Sequence, residues 1–194
     1  MRYGPGHKEE AKAKILGAVS RGFRRLGFGG IGVDGLAKEA GVTSGAFYGH
    51  FPSKTDAFRA AVVAGMIDVR LAIEALRAQE GDAWLAKFVD FYMSAKRTCD
   101  LSEACPLQSL TPDVARSDSE TKAAYEAELL KSIEAMAEGL DGGTLAARRK
   151  TAIAILSMLS GSVTMARATD DPKTGAQIAS AVKNAVLGMS RGDN

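Results

Sequence analysis

The residues with the clearest chemical meaning lie between Val33 and Lys54, in the segment VDGLAKEAGVTSGAFYGHFPSK. Apolar residues in its two halves fit two short helices that meet at Gly41. Glycine suits this corner because the first helix must end in a left-handed residue, which glycine adopts without strain. Thr43 or Ser44 can supply a hydroxyl group that caps the second helix. The pattern therefore predicts a helix-turn-helix.

The outward side of the second helix carries small and polar groups. They are Ser44, Gly45, Tyr48, Gly49 and His50. Pro52 ends this helix near Phe51, since proline cannot continue a helix, and Ser53 begins the next one. A side with so little bulk lets the helix approach a partner closely. Hydroxyl groups, lysines and helix N-termini hold phosphates, so the pattern favours double-stranded DNA as the partner.

This segment closely resembles the end of the DNA-binding domain of TetR/AcrR-type transcriptional regulators. Twelve positions carry the resemblance: Gly41, Val42, Ser44, Gly45, Phe47, Tyr48, His50, Phe51, Pro52, Ser53, Lys54 and Phe58. The resemblance implies that Tyr48 and Lys54 hold backbone phosphates and that the start of the second helix faces base edges. The DNA-binding residues expected on these grounds are Thr43, Ser44, Gly45, Ala46, Tyr48, Gly49, His50 and Lys54.

One position departs from the pattern of the resembled family, which usually has Thr or Ser just before the first helix of the motif. This chain has Gly32 there, and Asp34 lies too far inside the helix to cap it in the same way. Gly32 therefore offers no hydroxyl group for the phosphate contact that the resemblance implies at this position. The departure keeps an alternative open: a helical small-molecule-binding protein, or a thiol-based redox or electrophile sensor, with a weakened DNA headpiece.

Charge is distributed unevenly along the chain. Residues 1–60 hold ten Lys or Arg against five Asp or Glu, whereas the remaining residues hold fifteen against eighteen. The basic part, which includes Arg2, Lys8 and Lys38, is also the part with the helix-turn-helix pattern. A basic domain on a mildly acidic body is typical of a directed nucleic-acid binder. Solvated helix faces account for some of the same charges.

Apolar periodicity predicts helices through nearly the whole chain and no strand of useful length. Outside the helix-turn-helix, helices are predicted over residues 8–26, 53–79, 107–117, 119–139, 144–168 and 173–189. The predicted fold is all-α: an N-terminal three-helix helix-turn-helix headpiece and a C-terminal helical bundle. Residues 1–52 would form the DNA-binding domain, and residues 53–194 the domain for effector binding and dimerisation.

The last two predicted helices have more apolar surface than one core needs. In the first of them, Ile153 and Leu159 fit one side, while Ile155 and Met165 fit another. The final helix repeats an apolar stripe that includes Val186. Two such helices can form a four-helix interface with a second copy, and the resemblance implies the same homodimer. A purely intramolecular core is the alternative.

The resemblance also implies that the C-terminal bundle binds a small-molecule effector. Candidate residues for an apolar or aromatic effector are Trp84, Phe88, Phe91, Tyr92, Met136 and Met158. Aromatic rings and flexible methionines are the usual lining of such sites. Ordinary core packing is the alternative for each of them.

Cys99 and Cys105 lie around one loop and form a candidate redox site. Cys105 precedes Pro106 at an expected helix start, where a thiolate is favoured. The loop holds no basic residue to activate either thiol, so inert thiols are the alternative. Their spacing matches no zinc pattern, and we expect neither a metal nor a cofactor.

Missing features argue against several classes of protein. The sequence has no G-x-S-x-G motif and no glycine-rich phosphate loop, so we expect no enzyme. No signal-peptide core follows Met1, and no apolar tract is long enough to span a membrane, so a cytoplasmic location is expected. The function expected from the sequence is a repressor released from a palindromic operator by its effector.

Overall fold

A computed structural model describes the backbone of residues 5–190 and the side chains of residues 9–189. Within that range the chain forms α-helices and short 3-10 turns but no strand, so the all-α prediction is confirmed. The helices are α1 Pro5–Gly30, α2 Val33–Glu39, α3 Ser44–Tyr48, α4 Lys54–Glu80, α5 Trp84–Met93, α6 Ala95–Thr98, α7 Pro106–Ser109, α8 Thr111–Val114, α9 Ser119–Glu138, α10 Leu145–Arg167 and α11 Pro172–Ser190. None of these described helices is long and apolar enough to span a membrane.

The helices differ from the predicted ones at glycine and proline residues. α1 continues to Gly30 rather than ending at Leu26, because the break in it is confined to Gly27, with φ of 72° and ψ of 171°. The single helix predicted over residues 107–117 is instead the pair α7 and α8. Pro112, in the first turn of α8, has no N–H group to continue the hydrogen bonding of α7, so a new helix begins there.

The chain divides into two compact units that do not follow the order of the sequence. The first unit combines residues up to Gly65 with Asp100–Tyr125, and the second combines Met66–Cys99 with the residues from Glu126 onward. α4 and α9 each contribute to both units. This division describes packing, whereas the division at residues 52 and 53 concerns function and stays a prediction.

The core of the first unit is built around phenylalanine rings. Phe23 of α1, Phe47 of α3 and Phe58 of α4 are fully buried. The rings of Phe23 and Phe58 meet edge to face, with centroids 5.2 Å apart. Leu110 and Val114, at the start and end of α8, join the same core. This shared burial is why the segment around α8 belongs with the helix-turn-helix.

The second unit packs α5, α10 and α11 against one another. Ile155 and Leu159 of α10 and Val186 of α11 are fully buried in it. The indole N–H of Trp84 donates a hydrogen bond to the carbonyl oxygen of Gly139 at 2.9 Å. This bond ties the start of α5 to the residue that follows α9.

Gly65 is a point of close approach in the first unit. A Cβ atom on Gly65 would lie 2.6 Å from Cβ and 2.7 Å from Cγ of Pro106, well inside van der Waals contact. We therefore expect Gly65→Ala to lower the free energy of unfolding by about 1–3 kcal/mol, although alanine is intrinsically the better helix former. Thermal or urea unfolding measures the change.

Gly17→Ala is the matched control, because its Cβ would meet only Nη1 of Arg21, at 3.8 Å. This variant should gain stability, by up to about 1 kcal/mol, from the helix propensity of alanine alone. Equal stabilisation by Gly65→Ala would contradict the close packing of α7 on α4.

Candidate nucleic-acid interface

The turn between α2 and α3 has the geometry that the sequence predicts. Gly41 has φ of 66°, the left-handed conformation that glycine adopts without strain. The N–H of Val42 donates to the carbonyl oxygen of Ala37 at 2.9 Å, which closes the end of α2. Thr43 caps α3, since its Oγ1 accepts a hydrogen bond from the N–H of Ala46 at 3.1 Å. The predicted helix-turn-helix is confirmed.

The surface of α3 is open except where one residue anchors the helix. Phe47 is fully buried, and the ring of Tyr48 meets it edge to face. Tyr48 itself is 52% exposed. Thr43, Gly45, Ala46 and Gly49 are also exposed, while Ser44 and His50 are half-buried. We call these seven residues, Thr43–Ala46 and Tyr48–His50, the α3 surface.

The structure settles two details at the helix starts that the sequence left open. Ser44 does not cap α3; its hydroxyl donates a hydrogen bond to Oδ1 of Asp34 in α2 at 2.6 Å. Gly32 precedes α2 with an extended backbone and no side-chain cap, so the missing cap is confirmed. The contact between Ser44 and Asp34 depends on the turn and gave no signal in the sequence.

Lys54 begins α4 and lies over an aromatic ring. Ser53 caps the helix, because its Oγ accepts a hydrogen bond from the N–H of Asp56 at 3.1 Å. The ammonium nitrogen of Lys54 lies 4.4 Å from the ring centroid of Phe28, a cation–π distance. The sequence analysis missed this contact, because Phe28 stands among the glycines that end α1.

Basic side chains of the first unit differ in exposure and in ion pairing. Lys12, Lys14, Arg21 and Lys38 are exposed. Arg25, by contrast, forms an ion pair with Glu39. Arg2 and the side chain of Lys8, which were counted in the basic part of the sequence, lie outside the described residues.

A charged network around Arg59 joins the start of α4 to the start of α9. The guanidinium nitrogens lie 3.2 Å from Oδ1 of Asp56, 3.5 Å from Oδ1 of Asp118 and 3.0 Å from Oε2 of Glu120. The N–H of Thr121 donates to Asp118, and this hydrogen bond is the main reason that the pKa of Asp118 lies below its ordinary value. Asp118 therefore keeps its negative charge in mildly acidic solution.

The candidate effector residues lie in the second unit with different exposure. Trp84, Phe88, Tyr92 and Met136 are buried, whereas Met158 is half-buried. The rings of the first three follow each other along α5, with centroids 6.4 Å and 5.6 Å apart. Phe91 does not lie with them: it is 44% exposed, and the ammonium nitrogen of Lys96 is 5.6 Å from its ring centroid.

Trp84 also borders a cleft of about 250 Å³ in the second unit. Leu85 and Leu140 form part of its apolar lining, and Asp82 and Asp141 also line it. The cleft therefore offers apolar surface with two carboxyl groups near it.

The two cysteines have different surroundings. Cys105 is buried and precedes α7, as expected, whereas Cys99 is half-buried. Nη2 of Arg167, from α10, lies 3.1 Å from Sγ of Cys99 and donates to its carbonyl oxygen at 2.9 Å. The loop itself has no basic residue, but the fold supplies one. Within the described residues, no three His, Cys, Asp or Glu side chains are grouped so that they could hold a metal ion.

A helix-turn-helix with a short, exposed second helix defines a DNA-binding protein. Residues 15–61 of the chain match the family model described as bacterial regulatory proteins, tetR family. The helix-turn-helix segment of the chain belongs to this family of transcriptional regulators, whose members bind DNA and are not enzymes.

Solved structures share the fold of nearly the whole chain. The reduced form of NemR from E. coli has a TM-score of 0.77 at 16% identity, over 91% of this chain and 95% of that one. A TetR-family transcriptional regulator from Streptomyces coelicolor has a TM-score of 0.74 at 21% identity, over 94% and 95% of the two chains. Another, from Cytophaga hutchinsonii, has a TM-score of 0.75 at 16% identity, over 97% and 98%. No curated protein matches the chain.

Gly32 allows the interface to be tested by adding a group. Its φ of −87° suits any residue, and a Cβ atom there would meet nothing within 4 Å. We expect Gly32→Ser to stabilise the protein by a few tenths of a kcal/mol as an N-cap. It should also raise DNA affinity roughly fivefold, because the hydroxyl can bond a phosphate. Urea unfolding and a mobility-shift assay measure the two effects.

Gly32→Ala is the control for Gly32→Ser, because it adds a Cβ atom without a hydroxyl group. Alanine is a poor N-cap, so stability should fall and DNA affinity should not rise. A similar rise in affinity for both variants would show that the hydroxyl does not meet a phosphate.

Proposed function

We propose that this protein is a transcriptional repressor that binds a palindromic operator as a homodimer and leaves it when a small apolar or aromatic effector binds. The observation that carries the proposal is the α3 surface, which is exposed and almost free of bulk beside Tyr48 and Lys54. In this proposal α3 enters the major groove by its N-terminal end, with Thr43–Ala46 toward base edges. Tyr48 and Lys54 hold backbone phosphates. A DNA target implies a location in the cytoplasm.

We expect Lys54→Ala to weaken binding to the DNA that flanks the protein's own gene. One lost phosphate contact should reduce the slope of log K against log salt by about 0.9. Tyr48→Phe removes only a hydroxyl group and should weaken binding about fivefold. Substitution of Ser44 or Ala46 should instead change the preferred DNA sequence. Fluorescence anisotropy at several salt concentrations measures affinity and slope.

Lys87→Ala is the matched control, because Lys87 is an exposed lysine of the second unit. It removes the same charge and should leave the slope unchanged. If the double variant Lys54→Ala, Tyr48→Phe bound with the affinity and slope of the wild type, the docking assigned to α3 would be wrong.

The dimer proposal is supported by the exposed side of α10. Its exposed positions at four-residue spacing are Ile153, Ser157, Gly161 and Met165. Ile153 is 48% and Met165 61% exposed, which is unusual for large apolar side chains on a monomer. Small residues between them let a second helix lie close. Val186, from the apolar stripe of α11, is fully buried within the chain and belongs to the protomer's own core.

We expect the wild-type protein to sediment at twice its chain mass of 20.3 kDa, and Met165→Glu to sediment as a monomer at micromolar concentration. An isologous interface would bury this glutamate twice, once from each protomer, and a buried unpaired charge is costly. Loss of the dimer should also lower operator affinity, because two headpieces must bind the two half-sites together. The half-sites are expected about 34 Å apart, or at a longer in-phase distance. Analytical ultracentrifugation measures the state.

Leu130→Glu controls for adding a charge to exposed apolar surface. Leu130 is 57% exposed on α9, and this variant should remain a dimer. A wild-type protein that is monomeric at micromolar concentration would remove the proposal.

The effector site is proposed in the second unit, at the aromatic rings of α5. Trp84 lies both in the ring series with Phe88 and Tyr92 and at the cleft with Leu140. α4 begins with Lys54 and continues into this second unit. A shift of α4 at the effector site would therefore be carried along one helix to a proposed phosphate contact. This continuity is what supports the release of DNA by the effector.

The second candidate function is a thiol-based sensor, and one observation favours it. The guanidinium group of Arg167 donates to Sγ of Cys99, and a cationic neighbour is a usual feature of reactive thiols. Cys105 is buried, and buried cysteines are typically inert. The candidate therefore concerns Cys99 alone.

We expect an apolar or aromatic effector to quench Trp84, the only tryptophan of the chain, and to bind operator-bound protein more weakly. Linkage requires the effector's affinity to fall by the same factor as the DNA affinity, and a hundredfold factor corresponds to about 2.7 kcal/mol of coupling. Fluorescence titration with and without operator DNA measures both affinities. Equal binding to free and DNA-bound protein would rule out induction by this route.

Cys99→Ser separates the two candidate functions. Release of DNA by an effector at the α5 rings should persist in this variant. Release by an alkylating reagent such as iodoacetamide, if it requires Cys99, should be lost.

A further inference from the structure

The N–H group of Phe28 depends on a residue far along the chain. Gly27 interrupts the helical backbone just before it, so the usual helical acceptor is out of place. The N–H of Phe28 instead donates to Oδ2 of Asp113, 85 positions later, at 2.8 Å. A half-buried backbone N–H needs such an acceptor, since leaving it unpaired is costly. Asp113 therefore fixes the backbone at the end of α1.

The ring of Phe28 in turn supports Lys54. Its centroid lies 5.1 Å from that of Phe58 and 6.1 Å from that of Phe23, both of which are fully buried. The ammonium nitrogen of Lys54 lies 4.4 Å from the same ring. The position of the ring thus sets the position of the lysine head group.

Asp113 is itself held in place. Its Oδ1 accepts a hydrogen bond from Nη2 of Arg116 at 2.8 Å, and its side chain is only 15% exposed. Leu110 and Val114, on either side of it, are buried in the core of the first unit. The close contact of Pro106 with Gly65 seats the same segment on α4. The carboxylate is therefore a fixed acceptor rather than a mobile surface group.

A cleft of about 400 Å³ borders the hydrogen bond between Phe28 and Asp113. Phe28 and Thr55 line the cleft together with Asp113 and Asp118. The end of α1 and the start of α4 thus face α8 across open space there. The hydrogen bond between Phe28 and Asp113 is a discrete link across this gap.

We propose that Asp113 is a positioning residue for DNA binding: through the backbone of Phe28 it sets the place from which Lys54 reaches a phosphate. The proposal rests on the DNA contact assigned to Lys54 under the proposed function. Without the carboxylate of Asp113, the N–H of Phe28 would turn toward water in the cleft, and the ring of Phe28 would shift. Lys54 would then lose its support and would have to be ordered on the DNA, which costs side-chain entropy.

The test measures operator affinity and its salt dependence for the full-length chain with Asp113→Ala, Asp113→Asn and Lys54→Ala, singly and combined. Asp113→Ala should weaken operator binding about three- to tenfold and lower the salt slope by up to about 0.9. Asp113→Asn keeps a neutral acceptor, so its affinity and slope should lie between those of Asp113→Ala and the wild type. In the Lys54→Ala background, Asp113→Ala should cause no further loss, since both act on one contact.

Glu120→Ala is the control for charge. Glu120 is an exposed carboxylate of the same unit, so its removal changes net charge by the same amount as Asp113→Ala. Loss of a negative charge alone should leave DNA affinity unchanged or raise it. A loss of affinity in Asp113→Ala would therefore be opposite to the effect expected from charge alone. Thermal unfolding of each variant shows whether the fold is retained.

The outcomes separate this proposal from the proposed function. If Lys54→Ala lowers the slope while folded Asp113→Ala leaves it unchanged, or if the two losses add, the positioning role is overturned and the DNA contact stands. If Lys54→Ala itself changes nothing, both fall. Should Asp113→Ala fail to fold, Asp113→Asn provides the test. The positioning role is supported if Asp113→Asn lowers the salt slope in the wild-type background and causes no further reduction in the Lys54→Ala background. An unchanged slope in the wild-type background overturns the role.

Discussion

Burial of Phe47 is the interaction on which the exposed α3 surface depends. A helix of five residues has little stability by itself, because nucleation costs more than so few hydrogen bonds return. α3 is held by the capping hydroxyl of Thr43, by the hydrogen bond from Ser44 to Asp34 and by the ring of Phe47, which is buried in the core of the first unit. With its anchor pointing inward, the helix is free to carry small residues outward. The open α3 surface is thus a consequence of how the helix is held.

The groups assigned to DNA already have partners within the protein. The hydroxyl of Ser44 donates to Asp34, and the ammonium group of Lys54 lies over Phe28. On DNA, both groups would exchange a protein partner for a base edge or a phosphate. Net affinity would then reflect a difference between two sets of contacts, and their protein partners hold the side chains near their working positions beforehand.

The packing units of this chain differ from the predicted division at residues 52 and 53. The segment around α7 and α8 follows the helix-turn-helix by about fifty positions in sequence, yet Leu110 and Val114 share its core. Two glycines make this possible: Gly27 turns the end of α1 toward Asp113, and Gly65 leaves room for Pro106 on α4. Such contacts connect the later segment to the residues proposed to contact DNA.

The sequence alone predicts the helical fold, the corner at Gly41 and the capping role of Ser53. These features follow from local chemistry: a left-handed backbone needs glycine, a helix start needs a side-chain acceptor, and an apolar period of 3.6 residues needs a helix. The dense motif around Tyr48 also carried the family assignment, which residues 15–61 confirm.

Tertiary packing alone settles which distant groups meet. Asp113 reaches Phe28, and Arg167 reaches Cys99, across 85 and 68 positions, and no periodicity or spacing encodes such pairs. It also decided that Phe91 faces solvent while Phe88 is buried, and that Val186 lies in the core while Met165 does not. An apolar residue shows in the sequence only that it favours burial. Which neighbour covers it depends on how the helices pack.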